Sequence, residues 1–175
     1  DTAENTLRRI LEDSELFRPE SQEFADALFL RGQVASLKGE HERAIGIITE
    51  ALDRYPKDAR VEGATFLLAD SYRQSGLALK QAARDAVSSG ERSTIMVDST
   101  SRLEQARGLF RQVVERYERR PWQELSRLEQ VYLRHALLFE ADCCFEALRH
   151  ADALKLYQGA VSVLGVSPDA LAAYV

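Results

Sequence analysis

The feature that most constrains this chain is a helical phrase that returns three times with the same internal spacing. The leading halves align as Leu28, Leu30, Gly32, Ala35, then Thr65, Leu67, Ala69, Tyr72, then Leu137, Phe139, Ala141, Cys144. The trailing halves read Ala44, Ile48, Ala51, then Ala106, Phe110, Val113, then Ala153, Tyr157, Ala160. Steps of four and three keep one face of a helix apolar. Gly32 precedes Ala44 by twelve residues and Ala141 precedes Ala153 by twelve, whereas Ala69 precedes Ala106 by thirty-seven, so the middle copy carries an insertion of 25. A sequence with such a period folds as stacked units, each too small to bury its apolar face alone.

The first copy shows the unit most plainly. Two helical patterns meet at Lys38-Gly39-Glu40, and small residues stand where the helices must touch: Gly32 and Ala35 on one, Ala44 and Ala51 on the other. A mid-helix glycine costs about 1 kcal/mol relative to alanine and is tolerated where backbones approach closely. Only four prolines and nine glycines interrupt a chain rich in Ala, Leu, Glu, Arg and Gln, which predicts helices and no sheet.

These residues resemble the tetratricopeptide repeat, a unit of roughly 34 residues with a small residue late in its first helix, then an alanine, an aromatic and a closing proline. Pro56, Pro121 and Pro168 supply the last of these. The resemblance implies an all-α fold, an α-solenoid of antiparallel helix hairpins wound into a right-handed superhelix. It divides residues 1–175 into a half-repeat at 1–19, a repeat at 21–56, a repeat with insertion at 59–120, a repeat at 121–168 and the start of a further helix at 169–175. The large apolar residue that the family places before its first small residue is Leu68 in the second copy, but Arg31 in the first and Glu140 in the third. Phrases such as LDRYPKD and LLADSYRQSG are similar to degenerate repeats of bacterial cell-envelope coordinator proteins, which favours the periplasm or envelope over the cytoplasm.

Outside the repeats, Ala3, Leu7, Ile10 and Leu11 form an apolar stripe ended by Phe17-Arg18-Pro19, read as a trailing helix without its partner. Leu77, Leu79, Ala82, Ala83 and Ala86 keep helical spacing, so the second leading helix is expected to run well past Gly76. Residues 88–100 are read as a loop, because Ser88-Ser89-Gly90 breaks the pattern and Ser101 with Glu104 has capping-box spacing. The third leading helix starts either at Pro121 or at Ser126, whose box partner is Glu129.

Charge and motifs narrow the function classes. With 28 acidic and 23 basic residues, net charge −5, the chain lacks the concentrated cationic face that nucleic acid requires. No apolar run approaches the roughly 18–20 residues that span a bilayer, so direct membrane insertion is not expected. Cys143 and Cys144 are adjacent and read as buried apolar residues rather than a redox pair. Asp142, Glu146 and His150 share a helix face at metal-ligand spacing, although such carboxylates more often line a solvated face. His41 and His150 fall in turns, and His135 follows Arg134 with no nucleophile motif; no glycine-rich phosphate loop is present. Neither a catalytic residue, a resident metal nor a cofactor is expected.

The resemblance implies a protein-interaction scaffold that binds a protein or peptide partner. In the family that the chain resembles, the leading helices line a concave groove, and the matching residues are Phe29, Gln33, Phe66, Asp70, Arg73, Leu138 and Asp142. The two phenylalanines are either anchors for a peptide's apolar side chains or simply core. The lysine and asparagine set that clamps a carboxylate terminus in some relatives is missing, so no such clamp is expected. A helical accessory or metal-binding domain of a larger enzyme is the alternative, and a structural spacer a third reading. Both ends read as cut surfaces, through which weak self-association is expected.

Overall fold

The computed structural model of the protein describes residues 2–12 and 18–164. Among them there are seven α-helices and no strand: α1 (Thr2–Glu12), α2 (Gln22–Leu37), α3 (His41–Arg54), α4 (Val61–Asp85), α5 (Ser89–Tyr117), α6 (Arg127–Glu146) and α7 (His150–Leu164). A short 3-10 turn, Trp122–Glu124, precedes α6. The fold class is thus all-α helical repeat of the solenoid type. The chain divides into two compact units, Asp1–Ser71 and Tyr72–Val175, so that α4 contributes residues to each. Phe17, Pro168 and residues 169–175, on which the expected helix ends and further helix rest, lie outside the described residues.

In the first unit α2 and α3 pair as a hairpin and α1 lies against α2. Ser21 caps α2, its hydroxyl accepting from the Phe24 N–H at 3.2 Å. The hairpin seam is the one expected: Gly32, Ala35, Ala44, Ile48 and Ala51 are all buried. A Cβ on Gly32 would stand 2.6 Å from Ile48 Cγ1, so a side chain at 32 and the isoleucine cannot share the space. Arg60 ties the entry to α4 back onto α2. Its guanidinium donates to both carboxylate oxygens of Asp58 at 2.7 Å, reaches Asp26 at 2.7 Å and lies over the Phe29 ring, 4.6 Å from the centroid.

The Arg60 hydrogen bonds hold the Asp58 carboxyl down at about 2, against the opposing effect of its burial. Because the folded value lies below the unfolded one, the stabilisation is complete above pH ~4 and is lost as pH falls toward 2. Asp58→Asn should therefore lower the urea midpoint at pH 7, by on the order of 1–2 kcal/mol, and the gap from the parent protein should close between pH 4 and 2. A gap independent of pH would remove the ionic account of this contact.

The second unit repeats the hairpin in α6 and α7, which pack together, with α5 packed on α6. The turns of the two hairpins match atom for atom. After α2, the N–H groups of Lys38, Gly39 and Glu40 donate to the carbonyls of Val34, Ser36 and Ala35; after α6, those of Ala147, Leu148 and Arg149 donate to Cys143, Phe145 and Cys144. This is the Schellman pattern, which needs a left-handed residue in its middle. Gly39 meets the need at φ 75°, whereas the third copy places Leu148 there at φ 62°, its side chain exposed. A left-handed non-glycine residue costs about 1–2 kcal/mol. Leu148→Gly is accordingly expected to raise stability by about 1 kcal/mol, and Gly39→Leu to lower it by at least as much, both read from urea midpoints.

The middle hairpin departs from expectation. The residue equivalent to Gly39 is Gly76, and here the helix runs straight through it. A Cβ on Gly76 would lie 3.0 Å from Leu103 Cγ and 3.2 Å from Ser99 O, and the Ser99 hydroxyl donates to the Gly76 carbonyl at 2.8 Å. The glycine that ends a helix in the first copy thus becomes a close helix contact in the second. Residues 88–100 are not a loop: α5 begins at Ser89, and its cap is Ser88, whose hydroxyl accepts from the Glu91 N–H at 3.1 Å. Hydroxyl side chains of this stretch bond back along the helix, Thr94 to the Gly90 carbonyl and Thr100 to the Met96 carbonyl. Arg92, within the expected loop, is helical, and its guanidinium covers the end of α4 by donating to the Ala83 and Ala86 carbonyls. The insertion is therefore an antiparallel helical extension, with its turn at residues 86–88.

The start of α6 resolves in favour of Ser126. Its hydroxyl accepts from the Glu129 N–H, and the Glu129 carboxylate accepts from the Ser126 N–H at 2.7 Å, a complete capping box. The departure at Glu140 is also explained. Its carboxylate is buried and accepts from Arg111 Nε at 2.9 Å, so α5 supplies the countercharge that a buried carboxylate needs. Arg31, at the same register in the first copy, is half-buried, with its Nε buried and without a hydrogen-bond partner.

Candidate functional site

The leading helices stand side by side within each unit. In the first, the Ser71 hydroxyl of α4 reaches the Ser36 hydroxyl of α2 at 3.4 Å while also bonding the Leu67 carbonyl. In the second, Lys80 of α4 donates to both the carbonyl and the carboxylate of Glu146 at the end of α6, at 2.8 Å each. Arg73 of α4 lies over the Phe139 ring of α6, 4.0 Å from the centroid. A partner that follows leading helices therefore meets two of them at once in either unit.

Four of the expected groove residues belong to the first unit. Gln33 is exposed on α2, and Asp70 is half-buried on α4. Phe29 and Phe66 are only 6% and 7% exposed, which decides between the two readings: they are core. Phe29 is covered by Arg60 and by the Tyr55 ring at 6.3 Å. Neither offers an anchor to a peptide. The remaining three belong to the second unit. Leu138 is buried as well, at 8%, and is removed from any surface for the same reason. Arg73 is half-buried against Phe139.

Asp142 is not the freely exposed acid that its spacing suggests. It accepts a hydrogen bond from the Tyr157 hydroxyl, which reaches across from α7. Burial raises its carboxyl above the usual range, an effect opposed by the Tyr157 bond and by the Arg73 charge. Burial and the neighbouring Asp142 push the Tyr157 phenol up in turn. Asp142 and Tyr157 thus act as a positioned polar pair linking α6 to α7. Glu146 is held by Lys80, and the His150 ring lies 5.2 Å from Phe145, so the three residues at metal-ligand spacing are each engaged elsewhere. Among the described residues no group of three His, Cys, Asp or Glu side chains is gathered to hold an ion. His135 stacks on Phe139 at 5.4 Å. Cys143 and Cys144 are buried free thiols, each raised by burial and so held protonated.

Sequence reasoning missed an ionic cluster at the base of the third hairpin. Arg149 donates to Glu104 of α5 at 2.6 Å and to Asp152 of α7 at 2.6 Å, and Glu104 also accepts from Arg107 at 2.8 Å. Glu104 had been read as a capping residue. Its i+3 spacing to Arg107 was visible, but its link to Arg149 depends on tertiary placement. No helix among the described residues is long and apolar enough to cross a membrane.

No curated protein and no solved structure matched the chain. A family model did: residues 26–58 match the tetratricopeptide repeat, a span that runs from within α2 through α3 to Asp58. Over those residues the chain is similar to the tetratricopeptide repeat, and the hairpin turn that ends α2 recurs after α6.

Proposed function

We propose that this chain is a protein-interaction scaffold that holds a protein or peptide partner on the paired leading helices of each unit. The observation that carries the reading is the side-by-side placement of α2 with α4 and of α4 with α6, together with a family whose repeats generally mediate protein–protein contacts. With Phe29, Phe66 and Leu138 in the core, recognition falls to polar groups: Gln33 and Asp70 in the first unit, Arg73 and the Asp142–Tyr157 pair in the second. Such a surface selects a partner by hydrogen bonds and charge more than by deep apolar anchors. The degenerate sequence style favours a coordinating role in a bacterial cell envelope, and a non-catalytic one.

Asp70→Lys, alone and with Gln33→Arg, should weaken capture of the native partner severalfold at low salt, with less effect at high salt, in variants whose helical circular dichroism is retained. Asp142 is unsuited to this test because its side chain bonds Tyr157. Undiminished capture by both variants would overturn the assignment to the leading-helix face.

A further inference from the structure

The insertion that lengthens the middle hairpin also forms an open cleft between its two helices, lined by Lys80, Ala83, Arg84, Arg92 and Met96. Every charged residue lining it is cationic, although the chain carries a net charge of −5. Lys80 is neutralised by Glu146. The two arginines make their hydrogen bonds to neutral groups. Arg84, which is exposed, donates to the Gln81 side-chain oxygen at 3.1 Å, and Arg92 donates to the Ala83 and Ala86 carbonyls. Two guanidinium charges therefore face a cleft whose lining supplies no carboxylate. Beside them lies apolar surface, the half-buried, flexible thioether of Met96, over the buried Ala83 at the floor of the cleft.

We propose that this cleft is a second docking site, which takes an acidic and apolar segment of a protein partner: a carboxylate against Arg84 and Arg92, with the adjacent apolar side chain on Met96. Guanidinium groups favour carboxylates through paired, charge-assisted hydrogen bonds. A free inorganic anion would use only the charge, whereas a glutamate or aspartate beside a leucine uses both halves of the cleft. The site does not depend on the leading-helix reading, since all five lining residues lie in the insertion.

The test is fluorescence anisotropy of the full chain with a fluorescein-labelled peptide of three Glu-Leu pairs. Saturable binding is expected, weakened severalfold as salt rises from about 0.05 to about 0.3 M. Arg84→Glu should weaken it by about tenfold or more, and Met96→Ala by less, with helical circular dichroism unchanged. Asp70→Lys should leave it intact, which separates this site from the leading-helix face. If Arg84→Glu does not fold, Arg84→Gln carries the same reading with a smaller loss. Equal binding of a Gln-Leu peptide, or no effect of either Arg84 variant, would overturn the proposal. Complete displacement of the peptide by millimolar inorganic phosphate would overturn it too, in favour of a simple anion site.

Discussion

Arg111→Met is expected to destabilise the second unit by about 2–4 kcal/mol, among the largest effects of any single substitution in the chain. The arginine itself is half exposed, and an ordinary surface ion pair would contribute little. The loss comes from its partner, since Glu140 has only 3% of its side chain exposed and would remain as a buried carboxylate with its Arg111 contact removed. Glu140→Leu in the same chain should restore most of the stability, because it sets a large apolar residue where the second copy has Leu68. Urea midpoints of the two single variants and the double variant would measure the coupling. Additive losses in the double variant would show that the pair acts as two independent residues.

Gly32→Leu is expected to lower stability by about 3 kcal/mol or more. Overpacking a well-filled core typically costs ~1–3 kcal/mol, and here even the first carbon of the new side chain lies 2.6 Å from Ile48. Ile48 is 1% exposed and sits on the seam, so it has little room to withdraw. Gly32→Leu with Ile48→Ala should recover part of the loss, whereas leucine's higher helix propensity acting alone would raise stability. An unchanged thermal midpoint for Gly32→Leu would contradict the packing of α2 on α3.

Much of this was legible in the sequence because the repeat couples spacing to packing. Small residues at Gly32, Ala69 and Ala141, and at Ala44, Ala106 and Ala153, mark helix contacts wherever they recur, and all six are buried. The extension of α4 past Gly76 was visible from its apolar spacing. The α5 extension was not, since hydroxyl-rich stretches favour caps and turns until their side chains bond back into a helix, as at Thr94 and Thr100. Ser88 and Glu91 have the same box spacing as Ser101 and Glu104, and spacing alone does not choose between the two. The burial of Phe29, Phe66 and Leu138 was not legible for a different reason. Periodicity places Phe29, Phe66 and Leu138 on leading helices, but those helices are buried on more than one face, and it takes tertiary neighbours, such as Arg60 over Phe29, to show that these side chains are covered. Asp142 likewise looks solvated until Tyr157 reaches it from the next helix.

The central claim, that a partner lies on the leading helices, is tested most directly by site-specific photo-crosslinking in the full chain. A benzophenone side chain at Gln33, exposed on α2, is compared with one at Gln112, exposed on the trailing helix α5. A strong crosslink to a distinct protein from position 33, lost with Asp70→Lys and weak or missing from position 112, is the result expected. A crosslink to the same protein from position 112 and none from position 33 would contradict it.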